Sequence, residues 1–116
     1  MKACALPRGI IIRSDRDFRL LMTEGRSFRG RMFRARFVVH GRTQARIGIS
    51  VGRRYGCAVA RNRFKRLVRE VFRQVHPALP AMDILIMPLV PPSEATITAC
   101  RDDFMALERA ARETTP

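Results

Sequence analysis

Lysine, acid, paired cysteine and long apolar runs are all scarce in this sequence, and each shortage excludes something. Only Lys2 and Lys65 are lysines among 23 basic residues, so the cations are almost all arginine. Acidic residues number 10, too few to neutralise them. Cys4, Cys57 and Cys100 lie far apart, no CxxC pair occurs, and His40 and His76 stand away from every cysteine. That spacing argues against a zinc site or a disulfide framework and fits a reducing compartment, so a cytoplasmic protein is expected. No segment approaches the ~20 apolar residues of a membrane span, and Gly9-Ile10-Ile11-Ile12 is too short for the apolar core of a signal peptide. There is no internal repeat and no low-complexity tract. Nor does a Ser/His/Asp or Cys/His set stand out, so no catalytic residue, no metal ligand and no small-molecule substrate is assigned to the chain. Asp102-Asp103 reads as the first turn of a helix. Cys57, next to cations that lower a thiol pKa, is a candidate reactive group, although a small buried or half-buried residue is the plainer reading.

What is present is a strongly basic chain that can still build a core. The 116 residues suffice for one domain, spanning 1–116, and 47% are hydrophobic. Formal net charge is +13 and the sequence pI about 11.6, which calls for a polyanionic partner, either nucleic acid or an anionic membrane surface. Arginine's planar fork binds phosphate bidentately and stacks on bases, which favours nucleic acid. The charge is uneven: residues 1–76 hold 20 Lys/Arg against Asp15, Asp17, Glu24 and Glu70, whereas residues 77–116 hold three arginines against six acids. The polyanion is therefore expected to meet the first two-thirds of the chain.

Local patterning predicts the order α-β-β-β-α-β-α, an α+β fold with one mixed sheet of about four strands and three helices, the first dozen or so residues being extended. Ser14 caps a helix over about 15–24 with Asp17 in capping-box position, and Gly25 stops it. Strands follow from Ser27. In one, Phe33, Ala35, Phe37 and Val39 alternate with Arg34, Arg36 and Val38. His40–Gln44 reads as a turn. Ile47, Ile49 and Val51 then alternate with Gly48, Ser50 and Gly52, a small-residue face that a helix or a nucleotide could approach closely. Asp83–Met87 is a continuous apolar run expected to be covered on both faces. Met87–Pro92 reads as a loop, and a last helix is expected over about 95–113.

The stretch Ala58–Arg73 carries six basic side chains and one acid, Glu70. At about 100° per residue, Phe64, Leu67, Val68, Val71 and Val75 share one arc, while Asn62, Lys65, Arg66, Arg69 and Arg73 share the opposite one. A merely solvated helix face usually mixes charge signs. Lys65, Arg69 and Arg73 instead form a like-charged i, i+4 ladder, and repulsion of that kind points to compensation by a partner. Asn62 can hydrogen-bond base edges or ribose hydroxyls; local capping near the helix start is the other reading.

Arg46-Ile47-Gly48-Ile49-Ser50-Val51 followed by Arg53-Arg54-Tyr55-Gly56-Cys57-Ala58-Val59-Ala60-Arg61-Asn62-Arg63-Phe64-Lys65-Arg66-Leu67-Val68-Arg69-Glu70 resembles the protein component of bacterial ribonuclease P. Supporting similarity lies at Arg13-Ser14 through Asp17-Phe18, at Gly25-Arg26-Ser27 and at Asp83-Ile84-Leu85-Ile86-Met87-Pro88, so the resemblance spans roughly residues 7–112. It implies a subunit of a ribonucleoprotein endoribonuclease whose RNA removes the 5′ leader of precursor tRNA. The RNA, with its Mg2+ ions, performs the hydrolysis, and the protein binds no cofactor. The implied partners are ribonuclease P RNA and precursor tRNA. By the same resemblance Arg61, Asn62, Arg63, Lys65, Arg66 and Arg69 contact the catalytic RNA. Phe18, Met22, Arg34, Arg36, Arg53 and Arg54 fall at the leader cleft. A left-handed crossover through the basic helix is implied too, against the usual hand. The chain departs from the family pattern at Met22, where some relatives carry a second aromatic, at Gly52, commonly serine, and at Arg53-Arg54, usually a lysine pair. Its Ile10-Ile11-Ile12 run is also more apolar than usual.

Two other roles fit the charge alone. One is a general RNA-binding or ribosomal-type protein with no part in tRNA processing. The other is a binder of anionic membrane, which the basic helix suits poorly, because its apolar arc is needed for the core and is not rich in aromatics.

Overall fold

The computed structural model describes residues 11–12, 14–40 and 44–114, the side chain of residue 114 excepted. The turn expected at His40–Gln44 and most of the expected extended N-terminus lie outside the described residues.

Helix α1 (Asp15–Glu24), strands β1 (Arg26–Arg29), β2 (Phe33–Val39) and β3 (Arg46–Ile49), helix α2 (Ala58–Val75), strand β4 (Met82–Pro88) and helix α3 (Ile97–Thr114) follow one another in the expected order. Short 3-10 turns lie at Arg53–Tyr55, His76–Ala78 and Pro92–Glu94. The strands form one sheet in the order β1-β2-β4-β3. β1/β2 and β2/β4 are antiparallel, while β3 and β4 are parallel, with α2 as the crossover between them. Ile11 forms a parallel bridge to Ile47, which extends the sheet past β3.

Alternation along β2 and β4 sorts side chains to two sheet faces. Phe33, Ala35, Phe37, Ile84 and Ile86 meet Phe64, Val68, Val71 and Phe72 of α2 and Phe104 and Leu107 of α3 in the main core. On the other face Leu85 and Met87 pack with Ile12, Leu21 and Phe18 under α1. β4 is thus covered on both sides, as its unbroken apolar run predicts. Full burial of one such side chain contributes roughly 1.5–3 kcal/mol, so the five buried phenylalanines anchor this layer.

α1 starts where expected, because Ser14 Oγ accepts from the N–H groups of Arg16 (3.2 Å) and Asp17 (3.4 Å). α3 starts later than the pattern predicts. Thr96 Oγ1 accepts the Ala99 N–H at 3.1 Å and places the helix start at Ile97.

Asp103 is the seventh residue of α3, past the first turn in which the sequence reading placed it. It is buried, and its carboxylate accepts three backbone N–H groups, Arg31 (2.9 Å), Met32 (2.8 Å) and Phe33 (3.0 Å). Gly30 leaves room for it, since a Cβ there would lie 2.4 Å from Asp103 Cγ. The β1–β2 hairpin is thereby fastened to α3.

Candidate nucleic-acid interface

α2 presents its cations along one exposed ridge because its other arc is consumed by the core. Asn62, Arg63, Arg66 and Arg69 are exposed and Lys65 is half-buried. None of Arg63, Lys65, Arg66 and Arg69 pairs with a carboxylate among the described residues. α2 begins at Ala58 with Cys57 at its cap. Asn62 therefore sits a full turn inside the helix, which removes the capping reading and leaves its amide on the ridge. Arg61 donates Nη1–H to the Gly56 carbonyl at 2.8 Å and steadies the turn that feeds the helix.

The like-charged ladder is shorter than the sequence suggests. Arg73 pairs with Glu70, whose pKa is held below its ordinary value first by the Arg73 hydrogen bond. Lys65 and Arg69 remain without carboxylate partners among the described residues.

On the α1 face of the sheet, the Phe18 ring lies directly over Gly48. A Cβ on Gly48 would come within 2.4 Å of Phe18 Cε1. The bare backbone of β3 is therefore used by an aromatic ring of the chain itself. Beside it a cleft of about 240 Å3 is lined by Phe18, Gly48, Ile11, Ile12 and, from α2, Arg69. Residues expected on separate surfaces, Phe18 for a leader and Arg69 for the catalytic RNA, share this one concavity.

The remaining cleft residues scatter. Met22 is exposed on α1 and does not line this cleft. Arg36 is half-buried and donates Nη1–H to the Gly25 carbonyl at 3.0 Å, tying β2 to the end of α1. Arg34 is exposed on β2 directly opposite Arg29 of β1. Arg53 and Arg54 are exposed on the turn before α2. No acid occurs between Gly25 and Arg69, a span with 14 cations.

One device was not read from the sequence. Arg46 donates Nε–H and Nη2–H to the two Asp83 oxygens at 2.8 and 2.7 Å, and His40 Nε2 stands 3.1 Å from Asp83 Oδ1. Asp17 Oδ2 of α1 lies 3.8 Å from Arg46 Nη2. Burial opposes the Asp83 charge, but the hydrogen bonds and charge of Arg46, helped by His40, outweigh it and hold its pKa below the usual carboxylate range. The network joins α1 to β3 and β4 and so sets where Phe18 sits.

The described thiols divide clearly. Cys57 is exposed, with its pKa lowered by the Ala60 and Val59 backbone and more weakly by Arg61; burial pushes Cys100 up to about 12. Among the described residues no group of three or more His, Cys, Asp or Glu side chains could hold a metal ion.

The Ribonuclease P family matches residues 6–112. The ribonuclease P protein component of Thermotoga maritima is 40% identical over 78 residues, covering 66% of this chain and 67% of that protein. The Streptococcus mutans ribonuclease P protein component is 38% identical over 76 residues, 66% of this chain and 64% of that protein's length. Among solved structures, the Thermotoga maritima RNase P protein superposes with a TM-score of 0.75 at 32% identity, covering 85% of this chain and 94% of that one. A Staphylococcus aureus RNase P protein structure gives 0.74 at 27% identity, covering 88% and 94%.

Proposed function

Because this chain belongs to the ribonuclease P protein family, we propose that it acts as the protein subunit of the ribonucleoprotein that matures the 5′ end of tRNA, binding both the catalytic RNA and the leader of precursor tRNA. The observation that carries the reading is the α2 ridge of cations without carboxylate partners, running into the Phe18 cleft through Arg69.

Arg61, Arg63, Lys65, Arg66 and Arg69 neutralise phosphates of folded RNA, the arginines with forked donors that suit phosphate geometry. Asn62 offers a neutral donor and acceptor to ribose hydroxyls or base edges. Phe18, with Met22, Arg34, Arg36, Arg53 and Arg54 around it, takes the leader strand. Phosphodiester hydrolysis and its Mg2+ belong to the RNA, and this chain supplies charge and position. We place the complex in the cytoplasm; no described helix is long and apolar enough to cross a membrane.

Reconstitution tests the proposal. Adding the chain to a ribonuclease P RNA at low magnesium is expected to restore leader removal that the RNA alone performs poorly. No stimulation would leave only a general RNA-binding role.

A further inference from the structure

β1 is the outer strand of the sheet, paired with β2 alone among the described residues, and a short turn at residues 30–32 joins the two. The stretch Arg26 to Arg31 carries three arginines and no acid. Arg26, Arg29 and Arg31 are exposed, and none forms an ion pair with a carboxylate among the described residues. Neither the α2 ridge nor the Phe18 cleft uses them.

The strand register sorts these cations. Directly opposite residues of an antiparallel pair share a sheet face. Arg26 stands opposite Phe37 of the main core, so it lies on the side of the sheet that carries α2 and α3. Arg29, opposite Arg34, falls on the α1 side. Arg31 stands on the turn, which is held still before any ligand arrives. Arg31, Met32 and Phe33 donate their N–H groups to the buried Asp103 carboxylate, and the Gly30 N–H donates to the Phe33 carbonyl at 2.9 Å. A cationic tip ordered in advance loses little entropy on binding.

Charge on an outer strand also guards it against pairing with another chain. Guarding does not require one sign, however, and like charges directly opposite, as at Arg29 and Arg34, are destabilising. As on α2, that repulsion points to a polyanion. α3 stands between the hairpin and α2, packed on one and fastened to the other, and its exposed Asp102, Arg109, Arg112 and Glu113 mix signs. The hairpin is therefore a separate cationic surface rather than an extension of the ridge.

We infer that Arg26 and Arg31 form a second docking surface for the catalytic RNA, taking phosphates of a backbone segment other than the one on α2. The side of the sheet decides the occupant: Arg26 shares the α2 side, while Phe18 packs on the opposite face. A chain gripped along α2 alone can pivot about that helix, and a contact away from its axis fixes the aim of the Phe18 cleft. The inference rests on the catalytic-RNA reading above and adds to it a contact that the basic helix does not supply.

The test uses the full chain and a ribonuclease P RNA, without tRNA. Arg26→Gln/Arg31→Gln removes both charges from exposed positions. It is expected to weaken RNA binding roughly tenfold and to lower the slope of log K against log salt by roughly 0.7–0.9 for each phosphate released. Arg26→Lys/Arg31→Lys keeps the charges and should retain the wild-type slope, which separates lost contacts from a folding defect. Hydroxyl-radical footprinting should show the glutamine variant losing protection at RNA positions that Arg66→Ala leaves protected. Loss at the same positions in both variants, or affinity and slope unchanged by the glutamine variant, overturns the second surface while leaving the catalytic-RNA reading intact. A loss seen only when precursor or mature tRNA is added assigns the hairpin to tRNA and overturns it equally. No binding of the RNA by the wild-type chain overturns both.

Discussion

At the scale of single residues, carboxylate partners decide which arginines are left available for a polyanion. Arg66 forms no ion pair with a carboxylate among the described residues, whereas Arg73 is engaged by Glu70. Arg66→Ala is expected to lower the slope of log K against log salt by roughly 0.7–0.9 for each phosphate that the side chain neutralises, and Arg73→Ala to leave it near the wild-type value. Filter binding of the catalytic RNA across a salt series measures both. Gly48 is as informative as any cation. A methyl group there meets Phe18 Cε1 at 2.4 Å, and the ring must swing away. Gly48→Ala is therefore expected to weaken binding of precursor more than of mature tRNA, as Phe18→Ala would, while leaving affinity for the catalytic RNA unchanged. The small-residue face of β3 was legible in the sequence, but its occupant was not, because Phe18 and Gly48 are brought together only when α1 folds over the sheet.

At the scale of elements, two carboxylates fasten pieces that are distant in sequence. Asp103 accepts N–H groups from residues 70 to 72 positions earlier, and no local pattern announces such a bond. Asp103→Asn replaces an acceptor oxygen with a donor facing donors. Hydrogen bonds to a charged group are worth roughly 1.5–3 kcal/mol each, so urea unfolding should show a loss of about 2–4 kcal/mol. Asp83 acts on α1. Its folded pKa lies below the unfolded value, so its contribution is present above the ordinary carboxylate pKa and disappears as pH falls through the folded pKa. Asp83→Asn is expected to flatten the acid limb of stability below about pH 4, which thermal unfolding across that range reads directly. The helices themselves were visible from periodicity and capping. The start of α3 was misplaced by two residues because the Thr96 cap, rather than the proline loop, sets it.

For the whole molecule, the consequence of the fold is continuity. The ridge on α2 and the cleft under α1 come from opposite faces of the sheet and meet at Arg69 around β3. Arg69→Ala is therefore expected to weaken both binding of the catalytic RNA and preference for precursor over mature tRNA, whereas Arg63→Ala weakens the first alone. Paired affinity measurements on the same preparations decide this. Composition, hydrophobic period and the Arg61-Asn62-Arg63 stretch already determined a basic α+β domain with a cationic helix, because charge and periodicity are local properties of the chain. Which cations stay without a carboxylate, where Phe18 rests, and how the α2 ridge and the Phe18 cleft become one surface were decided only in three dimensions, since each depends on segments that folding alone brings within reach of one another.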